Sequence, residues 1–368
     1  MQPSPAAVRL LVPGNILHNS GGNVYNASLV RGLAQLGVSA TVERVDGNWP
    51  VGSSEDRRRF ARLLGEGSAA PDEGPAGGTV TIVDGLIASG APEALEAAAA
   101  AGQRPWILLH MVLLDHPELE IRALRAAAGV ICTSGSVAGE ITRRHGTGNV
   151  HVALPGTDVG EPAEGSDPPH LVSVAALLPN KDQLIVLGAL SLLQDLQWTA
   201  ALVGSDEADP DYARDVRAAL QESGLEGRVR LAGELKGQAL ENEWHAADLS
   251  LLVSKVEAFG MAVTESLARG VPVVVRAGTG AVEALNLGAQ HGTTPEGDES
   301  PLPGAVVVLD SDPAPLAEAL RSWLTSPERQ AAWRRAALAG RELLPGWDAT
   351  ARCVLDVIGA AAPQAGHS

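Results

Sequence analysis

The chain has 368 residues, 45% of them apolar and only 3% aromatic. This length exceeds an ordinary single domain and predicts two, with cores built from Ala, Val and Leu. The formal net charge of −17 argues against a nucleic-acid-binding protein, which needs a basic surface. It also argues against a generally basic membrane-docking surface, although a small peripheral contact with a membrane stays open.

Cysteine usage and apolar run lengths bear on the cellular compartment. The two cysteines, Cys132 and Cys353, lie far apart and lack metal-ligand spacing, which favours reduced thiols in a cytoplasmic protein. The first residues lack the charged and apolar regions of a signal peptide, and no apolar run reaches the ~18–20 residues that span a bilayer. We therefore expect a soluble, acidic, cytoplasmic protein.

Short β-rich runs alternate with helical patterns along the chain, which is typical of parallel sheets built from βαβ units. The first six predicted strands cover residues 8–13, 38–45, 79–84, 106–110, 129–134 and 151–155. The other six cover residues 170–177, 198–204, 228–233, 248–254, 272–277 and 305–310. Helical patterns separate them, for example over 23–37, 92–102 and 211–224. The fold class is therefore α/β, with two doubly wound halves.

Polar segments rich in Gly and Pro predict the domain bounds. Residues 159–170 have the composition of a linker, whereas 65–78 and 292–304 are predicted surface loops. We predict an N-terminal domain over 1–160, a C-terminal domain over 161–344, and a final helix within 345–368. The simplest interpretation of that helix is that it packs on its nearest neighbour.

The segment SKVEAFGMAVTESLARGVPVVV, residues 254–275, holds two carboxylates in apolar surroundings. Gly260 would interrupt a helix, so a helix is predicted to begin just after it and to end at Gly270. Glu257 then follows the carboxyl end of a strand, where open parallel sheets bind ligands. Glu265 lies on the helix.

The spacing of Glu257 and Glu265 limits their chemistry. At helical rise they would lie ~12 Å apart, beyond the ~5–9.5 Å of a glycosidase pair. The pair suits an elongated ligand held at both ends, with a phosphate on the N–H groups near Phe259, Gly260 and Met261. The alternative is an ordinary exposed helix glutamate and a loop glutamate.

Three further features carry weaker chemical signals. Gly21-Gly22 lies between the first strand and the first helix, where backbone N–H groups can approach an anion; the alternative is a plain turn. His110 ends a predicted strand and would point into the same crevice, unless it is a packed histidine. Lys181 is one of only three lysines, and a cation at a helix start favours a nearby phosphate over a solvated charge.

Together these motifs resemble the retaining glycosyltransferases of family four, which have the GT-B fold. Residues 254–275 look like the family's E-x7-E signature and its following Gly-x-Pro-Val-Val strand. The other similar segments are AGELKGQALENEWHAADLSLLVS, ALVGSDEADPDYA, the Gly-Gly loop, LLHMVLLDHP, VICTSGSVAGEI and VALPGTDV. They occur in the family's order over nearly the whole chain. The resemblance implies two Rossmann-like domains facing each other across a cleft.

The same resemblance implies the division of labour between the domains. The C-terminal domain would bind a nucleotide diphosphate sugar, the N-terminal domain would bind the acceptor, and the final helix would cross back to the N-terminal domain. Glu265 would bind the ribose hydroxyls and Glu257 the sugar or leaving phosphate. Backbone groups at Phe259, Gly260 and Met261 would contact the donor sugar.

The resemblance also assigns the remaining site residues. Lys181 would neutralise the diphosphate, and Gly21 and Gly22 would lie against it. His110 would sit by the transferring sugar, so that the catalytic set is His110, Glu257 and Lys181. Family members need no metal, and no cofactor is expected beyond the donor substrate.

One departure from the family concerns the cations of the site. The family's Gly-Arg-Leu is replaced by Ala175-Ala176-Leu177, so only Lys181 remains to offset a diphosphate. An arginine from elsewhere, such as Arg276, is a candidate substitute.

The sequence therefore predicts a retaining hexosyltransferase (EC 2.4.1) that moves a sugar from a nucleotide diphosphate sugar to an acceptor hydroxyl. The alternatives are a non-catalytic GT-B binding protein, which the missing arginine favours, and a GT-B nucleotide-sugar epimerase. An NAD-dependent Rossmann enzyme is disfavoured, since the glycines do not follow the GxGxxG spacing. Donor, acceptor and oligomeric state stay open, a homodimer among the alternatives.

Overall fold

The computed structural model describes residues 7–16, 20–66, 78–113, 115–289 and 302–360. The chain divides into two compact units. The first unit comprises residues 1–156 and 345–368, and the second comprises residues 157–344. Each unit is built around one six-stranded sheet whose neighbouring strands all run parallel.

The first unit has the strand order β2-β1-β3-β4-β5-β6. Its strands are β1 (Ala7–Pro13), β2 (Ser39–Val45), β3 (Thr79–Asp84), β4 (Trp106–Leu109), β5 (Val130–Cys132) and β6 (Val150–Val152). Its helices are α1 (Gly21–Gln35), α2 (Ser54–Glu66), α3 (Gly85–Gly90), α4 (Pro92–Ala100), α5 (Pro117–Ala126), α6 (Gly135–His145) and, from the end of the chain, α14 (Trp347–Ala360).

The second unit has the strand order β12-β11-β10-β7-β8-β9. Its strands are β7 (His170–Val174), β8 (Thr199–Val203), β9 (Val229–Gly233), β10 (Leu249–Leu252), β11 (Val273–Arg276) and β12 (Gly304–Val307). Its helices are α7 (Gln183–Ser191), α8 (Pro210–Glu222), α9 (Gln238–Ala246), α10 (Met261–Leu267), α11 (Ala281–Leu287), α12 (Ala314–Leu324) and α13 (Pro327–Gly340). Short 3-10 helices cover Pro179–Lys181 and Arg341–Leu343.

All twelve predicted strands are present, and the α/β prediction with two doubly wound, Rossmann-like halves is confirmed. The strands are shorter than predicted mainly at their carboxyl ends, as for β7, which ends at Val174 rather than residue 177. The apolar run continues into the loop, where Leu177 is buried although it lies outside the strand. The hydrophobic pattern of a sequence indicates which residues are buried. In this chain buried residues continue beyond the last hydrogen bond between the strands, so the pattern predicts strands that are too long.

The final helix α14 belongs to the first unit and packs on α1. The Tyr25 and Trp347 rings meet edge to face, with centroids 5.5 Å apart. The Thr350 hydroxyl donates to the Leu154 carbonyl oxygen at 2.8 Å. A methyl group on Gly32 would lie 2.9 Å from the Trp347 carbonyl oxygen. Close helix approach therefore depends on glycine at this position.

The segment predicted as a linker, residues 159–170, is packed along the second unit. Ala163 is buried, and its N–H donates to the Arg269 carbonyl oxygen at 2.9 Å. The N–H of Ser166 donates to an Asp248 carboxylate oxygen at 2.9 Å. The break between the units falls between Gly156 and Thr157. The linker prediction is thus wrong for this segment, because its backbone finds partners that a polar composition does not reveal.

The loops predicted over 65–78 and 292–304 lie largely outside the described residues. Among the residues that are described, no helix is long and apolar enough to cross a bilayer.

Candidate active site

In each sheet, the predicted site residues lie near the point where the strand order reverses. This point lies between β1 and β3 in the first unit and between β7 and β10 in the second. Open parallel sheets bind ligands at the carboxyl ends of the strands beside such a reversal. Gly21, Gly22 and His110 follow strands of the first sheet, while Lys181 and Glu257 follow β7 and β10.

In the first unit, α1 begins earlier than the sequence predicts. The Ser20 hydroxyl accepts a hydrogen bond from the Asn23 N–H at 3.2 Å and caps the helix. Gly21 and Gly22 therefore form the first turn of α1 rather than a loop that precedes it. Gly22 lies against His110, since a methyl group there would be 3.3 Å from ring atom Cδ2. The small residue lets the helix approach the histidine.

His110 is held in a network that the sequence did not predict. Its Nε2 lies 3.0 Å from Asn26 Oδ1 and 3.7 Å from Asp84 Oδ2. Asn26 also hydrogen-bonds to the Asp84 carboxylate, and both residues are buried. The Tyr25 ring stands edge-on to the imidazole at 5.2 Å. The available sequence signal was Asp84, a carboxylate at the end of a predicted buried strand.

Burial sets the charge states of this network. Desolvation lowers the pKa of His110 to about 4, so the imidazole is neutral near pH 7. Desolvation also raises the pKa of Asp84 to about 6, opposed by hydrogen bonds from the Leu86 N–H and from Asn26. Both shifts disfavour the charged form, as expected for groups removed from water.

In the second unit, the structure brings Lys181 and Glu257 together. The Lys181 ammonium lies 2.6 Å from Glu257 Oε2, and the Ser254 hydroxyl donates to the same oxygen at 3.2 Å. Both partners of the ion pair are half-buried. The Glu257 carbonyl oxygen accepts from the Gly280 N–H at 2.8 Å. Glu257 is therefore fixed through its side chain and its backbone.

Helix α10 begins directly after this loop, as predicted. Gly260 precedes it with φ +94° and makes no side-chain cap. The Val263 N–H donates to the Gly260 carbonyl oxygen at 2.9 Å, which leaves the N–H groups of Met261 and Ala262 for a ligand. Phe259 is buried, and Val263 and Leu267 are fully buried, in agreement with a helix face that packs on the sheet. The helix ends at Leu267, three residues before the predicted Gly270.

Glu265 is half-buried on α10. Desolvation raises its pKa to about 7; the Arg269 cation opposes the shift, and the charges of Glu241 and Asp158 add to it. The Arg269 guanidinium is itself paired with Glu241 at 2.6 Å. Glu265 thus differs from an ordinary solvated helix glutamate. A bound hydroxyl that donates to its carboxylate would offset the lost water.

The structure does not leave Arg276 free as a substitute for the missing arginine. Its buried guanidinium pairs with Asp182 and donates to the Val253 carbonyl oxygen at 2.8 Å. Asp182 has φ +58° and lies 3.1 Å from the Lys255 ammonium. The Arg276 charge is therefore used within the fold. The Ala176 position carries no charge of its own.

The carboxylates of two Asp-x-Asp triplets hydrogen-bond to nearby backbone N–H groups, one as a helix cap and one in a turn. Asp209 caps α8 by accepting from the Tyr212 N–H, and Asp310 accepts from the Asp312 N–H. No cluster of three or more His, Cys, Asp or Glu side chains suited to a metal ion occurs in the described ranges.

Residues 157–339 match the family model of the glycosyl transferases group 1. This match covers most of the second unit and includes Lys181, Glu257 and Glu265. Among curated proteins, a D-inositol 3-phosphate glycosyltransferase from Kineococcus radiotolerans is 30% identical over 65% of this chain and 58% of its own length. A mannosylfructose-phosphate synthase from Agrobacterium fabrum is 29% identical over 32% of this chain and 27% of its own length.

Among solved structures, the chain is similar to a sucrose-phosphate synthase from Thermosynechococcus elongatus, with a TM-score of 0.72 and 20% identity over 96% of this chain and 98% of that one. It is also similar to Anabaena HepE in complex with UDP and glucose, with a TM-score of 0.71 and 17% identity over 95% and 98% of the chains. These two likenesses show the fold alone.

Proposed function

We propose that this protein is a retaining glycosyltransferase of family four that moves a hexosyl group from a nucleotide diphosphate sugar to an acceptor hydroxyl. The observation that carries the proposal is the half-buried Lys181–Glu257 pair at the strand-order reversal of the second sheet. Of the two residues, Glu257 lies directly before α10, the helix that bears Glu265. The group 1 match over the same residues supports it. The chain spans somewhat more than half of the first curated relative, so activity and substrates rest on this proposal.

The donor would be held by the second unit. Glu265 would accept hydrogen bonds from the ribose hydroxyls, and the Lys181 ammonium, which also pairs with Glu257, would offset part of the diphosphate charge. Backbone N–H groups at Phe259, Gly260 and Met261 would bind the sugar and its phosphates, because the first turn of a helix carries unpaired donors. Gly21 and Gly22 would contribute backbone N–H groups to the diphosphate.

Transfer would proceed by electrostatic stabilisation rather than by a protein nucleophile. The bond from the anomeric carbon to the diphosphate oxygen breaks as the acceptor oxygen bonds to the same face. The acceptor proton goes to the departing diphosphate. Lys181 stabilises the negative charge on that leaving group, Glu257 faces the positive sugar, and His110 binds sugar hydroxyls. No metal or cofactor takes part.

The test is a donor screen with UDP-, GDP- and ADP-sugars. We expect one class to bind in calorimetry and to be turned over in the presence of an alcohol acceptor, with the anomeric configuration kept in the product by NMR. Glu257→Gln should retain the fold and lose turnover. Binding of no nucleotide sugar would overturn the proposal, and an inverted product would overturn the retaining mechanism.

Ala176 favours a second candidate, a non-catalytic GT-B protein, because it removes one cation from the predicted diphosphate site. Such a protein would bind nucleotide sugar, or a partner, without consuming it. Glu257→Ala separates the two candidates. An enzyme loses turnover in this variant, whereas a binding protein keeps its affinity and has no turnover to lose.

A further inference from the structure

The Nε2 nitrogen of His110 faces two oxygen atoms. Asn26 Oδ1 lies 3.0 Å away and Asp84 Oδ2 lies 3.7 Å away. An ionised carboxylate accepts hydrogen bonds and cannot donate them. Because Asn26 also hydrogen-bonds to Asp84, the asparagine must turn its NH₂ group toward the carboxylate. Its carbonyl oxygen is then left for the histidine, and both neighbours of Nε2 are acceptors.

A ring nitrogen that faces acceptors carries the proton. The ring is neutral because burial holds the pKa of His110 near 4, so it has one N–H group, which lies on Nε2. Nδ1 then keeps its lone pair. Within the described ranges, no hydrogen-bond partner of Nδ1 is present, and the side chain retains 17% of its exposure. An acceptor nitrogen remains on a side chain that is not fully buried.

We propose that Asn26 and Asp84 are positioning residues that fix His110 in the Nε2–H tautomer, so that Nδ1 accepts a hydrogen bond from a hydroxyl of the substrate. The identity of that hydroxyl, on the transferred sugar, rests on the proposed function. The tautomer itself rests on the three side chains alone. In this state His110 cannot donate a proton through Nδ1 to a leaving group at neutral pH.

The first experiment measures the tautomer without any substrate. Protein labelled with ¹⁵N-histidine is studied by long-range ¹H–¹⁵N correlation NMR, and His110→Gln identifies the signals of His110. We expect a protonated Nε2 and an unprotonated Nδ1 from pH 7 to pH 8, where Asp84 is ionised. An Nδ1–H tautomer, a mixture of tautomers, or an imidazolium in this range would overturn the proposal. Because no donor is needed, this result is independent of whether nucleotide sugars bind.

The second experiment uses variants of Asn26. Asn26→Ala removes the link between His110 and Asp84, so we expect mixed tautomers and a kcat lower by about tenfold, the effect of one lost hydrogen bond, with a smaller change in donor KM. Asn26→Asp keeps an acceptor at Nε2 and should retain the Nε2–H tautomer. Gln35→Ala, on the exposed part of the same helix, is the control and should leave both properties unchanged.

A change of charge at residue 26 distinguishes a positioning role of Asn26 from a purely structural one. The titratable groups that face the ring are Asp84, at the end of β3, and Tyr25, whose hydroxyl donates to the Ala153 carbonyl oxygen. The added carboxylate of Asn26→Asp should raise the pKa of His110, so the pH profile of the ¹⁵N signals of its ring should move to higher pH. If the tautomer and the pH profile are unchanged in both folded variants, the proposal is overturned. If Asn26→Ala does not fold, the tautomer and the pKa of His110 in Asn26→Asp test the proposal alone.

Discussion

Glu265 and His110 show how burial can prepare a side chain for hydrogen bonding to a neutral ligand. Desolvation moves their pKa values in opposite directions, up to about 7 for Glu265 and down to about 4 for His110. In both cases the charged form is disfavoured because it has lost water. A hydroxyl-bearing ligand can replace that water at the carboxylate. The His110 imidazole is neutral near pH 7, so it can hydrogen-bond to a ligand without first losing the hydration of a charge.

The first prediction concerns the pH dependence of donor binding. Glu265 is ionised above pH 7 and protonated below it, and only the carboxylate can accept from both ribose hydroxyls. Affinity for the donor should therefore fall by up to about tenfold per pH unit as the pH decreases below 7, the linkage of one proton. Calorimetry with an intact nucleotide sugar measures it, since its diphosphate ester has no ionisation in this range.

The matched variant for this prediction is Glu265→Gln. It should bind the donor more weakly at pH 8 and lose the pH dependence, while Glu257→Gln should retain it. A wild-type affinity that is constant from pH 5.5 to pH 8 would contradict the assignment of Glu265.

The second prediction concerns the ammonium of Lys181. Lys181→Met should lower kcat roughly 10²–10³-fold, the effect of removing one group that stabilises transition-state charge, because the Ala176 position supplies no second cation. Lys236→Met is the control, since Lys236 is exposed and pairs with Glu234; it should retain near wild-type kcat. Equal losses in the two variants would show that net charge, rather than the site, is responsible. Steady-state kinetics with the donor from the screen provides the readout.

At the scale of elements, α10 depends on the backbone of one residue. Gly260 has φ +94°, a conformation that L side chains rarely adopt. A methyl group there would also lie 3.0 Å from Leu252 Cδ2 and 3.2 Å from the Ala281 Cα. The helix can therefore start so close to β10 and α11 only with glycine at this position.

The third prediction compares two glycines with positive φ. Gly278→Ala, where φ is +76° and a methyl group meets nothing within 4 Å, should cost about 1–2 kcal/mol of local stability for the left-handed conformation alone. Gly260→Ala should cost roughly 1–3 kcal/mol more from overpacking and should weaken donor binding. Thermal shift with and without donor measures both effects. Equal donor affinities in the two variants would contradict the role given to the α10 start.

The elements show what the sequence could predict. Short β-rich runs between helical patterns predicted all twelve strands, and Gly260 predicted the start of α10. The network of Asn26, Asp84 and His110 could not be predicted, because its members lie 84 residues apart at the extremes and meet only through the β2-β1-β3-β4 strand order. The use of Arg276 by Asp182, 94 residues away, was hidden for the same reason. The local sequence pattern therefore predicts helices and strands, whereas the partners of a side chain can be identified only when the order of the strands in the sheet is known.

At the scale of the whole molecule, the two units have related designs with different strand orders. Both place the predicted site residues by the reversal of a six-stranded parallel sheet. The first unit, however, is built from two separate parts of the chain, since α14 packs on α1. Helix α1 also carries Gly22, Tyr25 and Asn26, so the support of His110 includes the packing of α14.

The fourth prediction tests this packing with two helical glycines. Gly139 is exposed on α6 and a methyl group there meets nothing within 4 Å, so Gly139→Ala should stabilise its helix by about 0.5–1 kcal/mol. Gly32→Ala should instead destabilise by about 1–3 kcal/mol, because the methyl group meets the Trp347 backbone and Ala351. Hydrogen exchange of the α1 and α14 amides gives the local readout. Slower exchange in Gly32→Ala would contradict the packing.

The position of α14 has a consequence for biosynthesis. Domains are generally completed in the order in which they are synthesised. Here all of the second unit, residues 157–344, has been synthesised before residues 347–360 are made, whereas the first unit lacks the partner of α1 until then. The unit synthesised first is thus the one completed last. Until that moment the α1 surface around Tyr25 and Gly32 is exposed, and it is the surface that a chaperone would meet on the nascent chain.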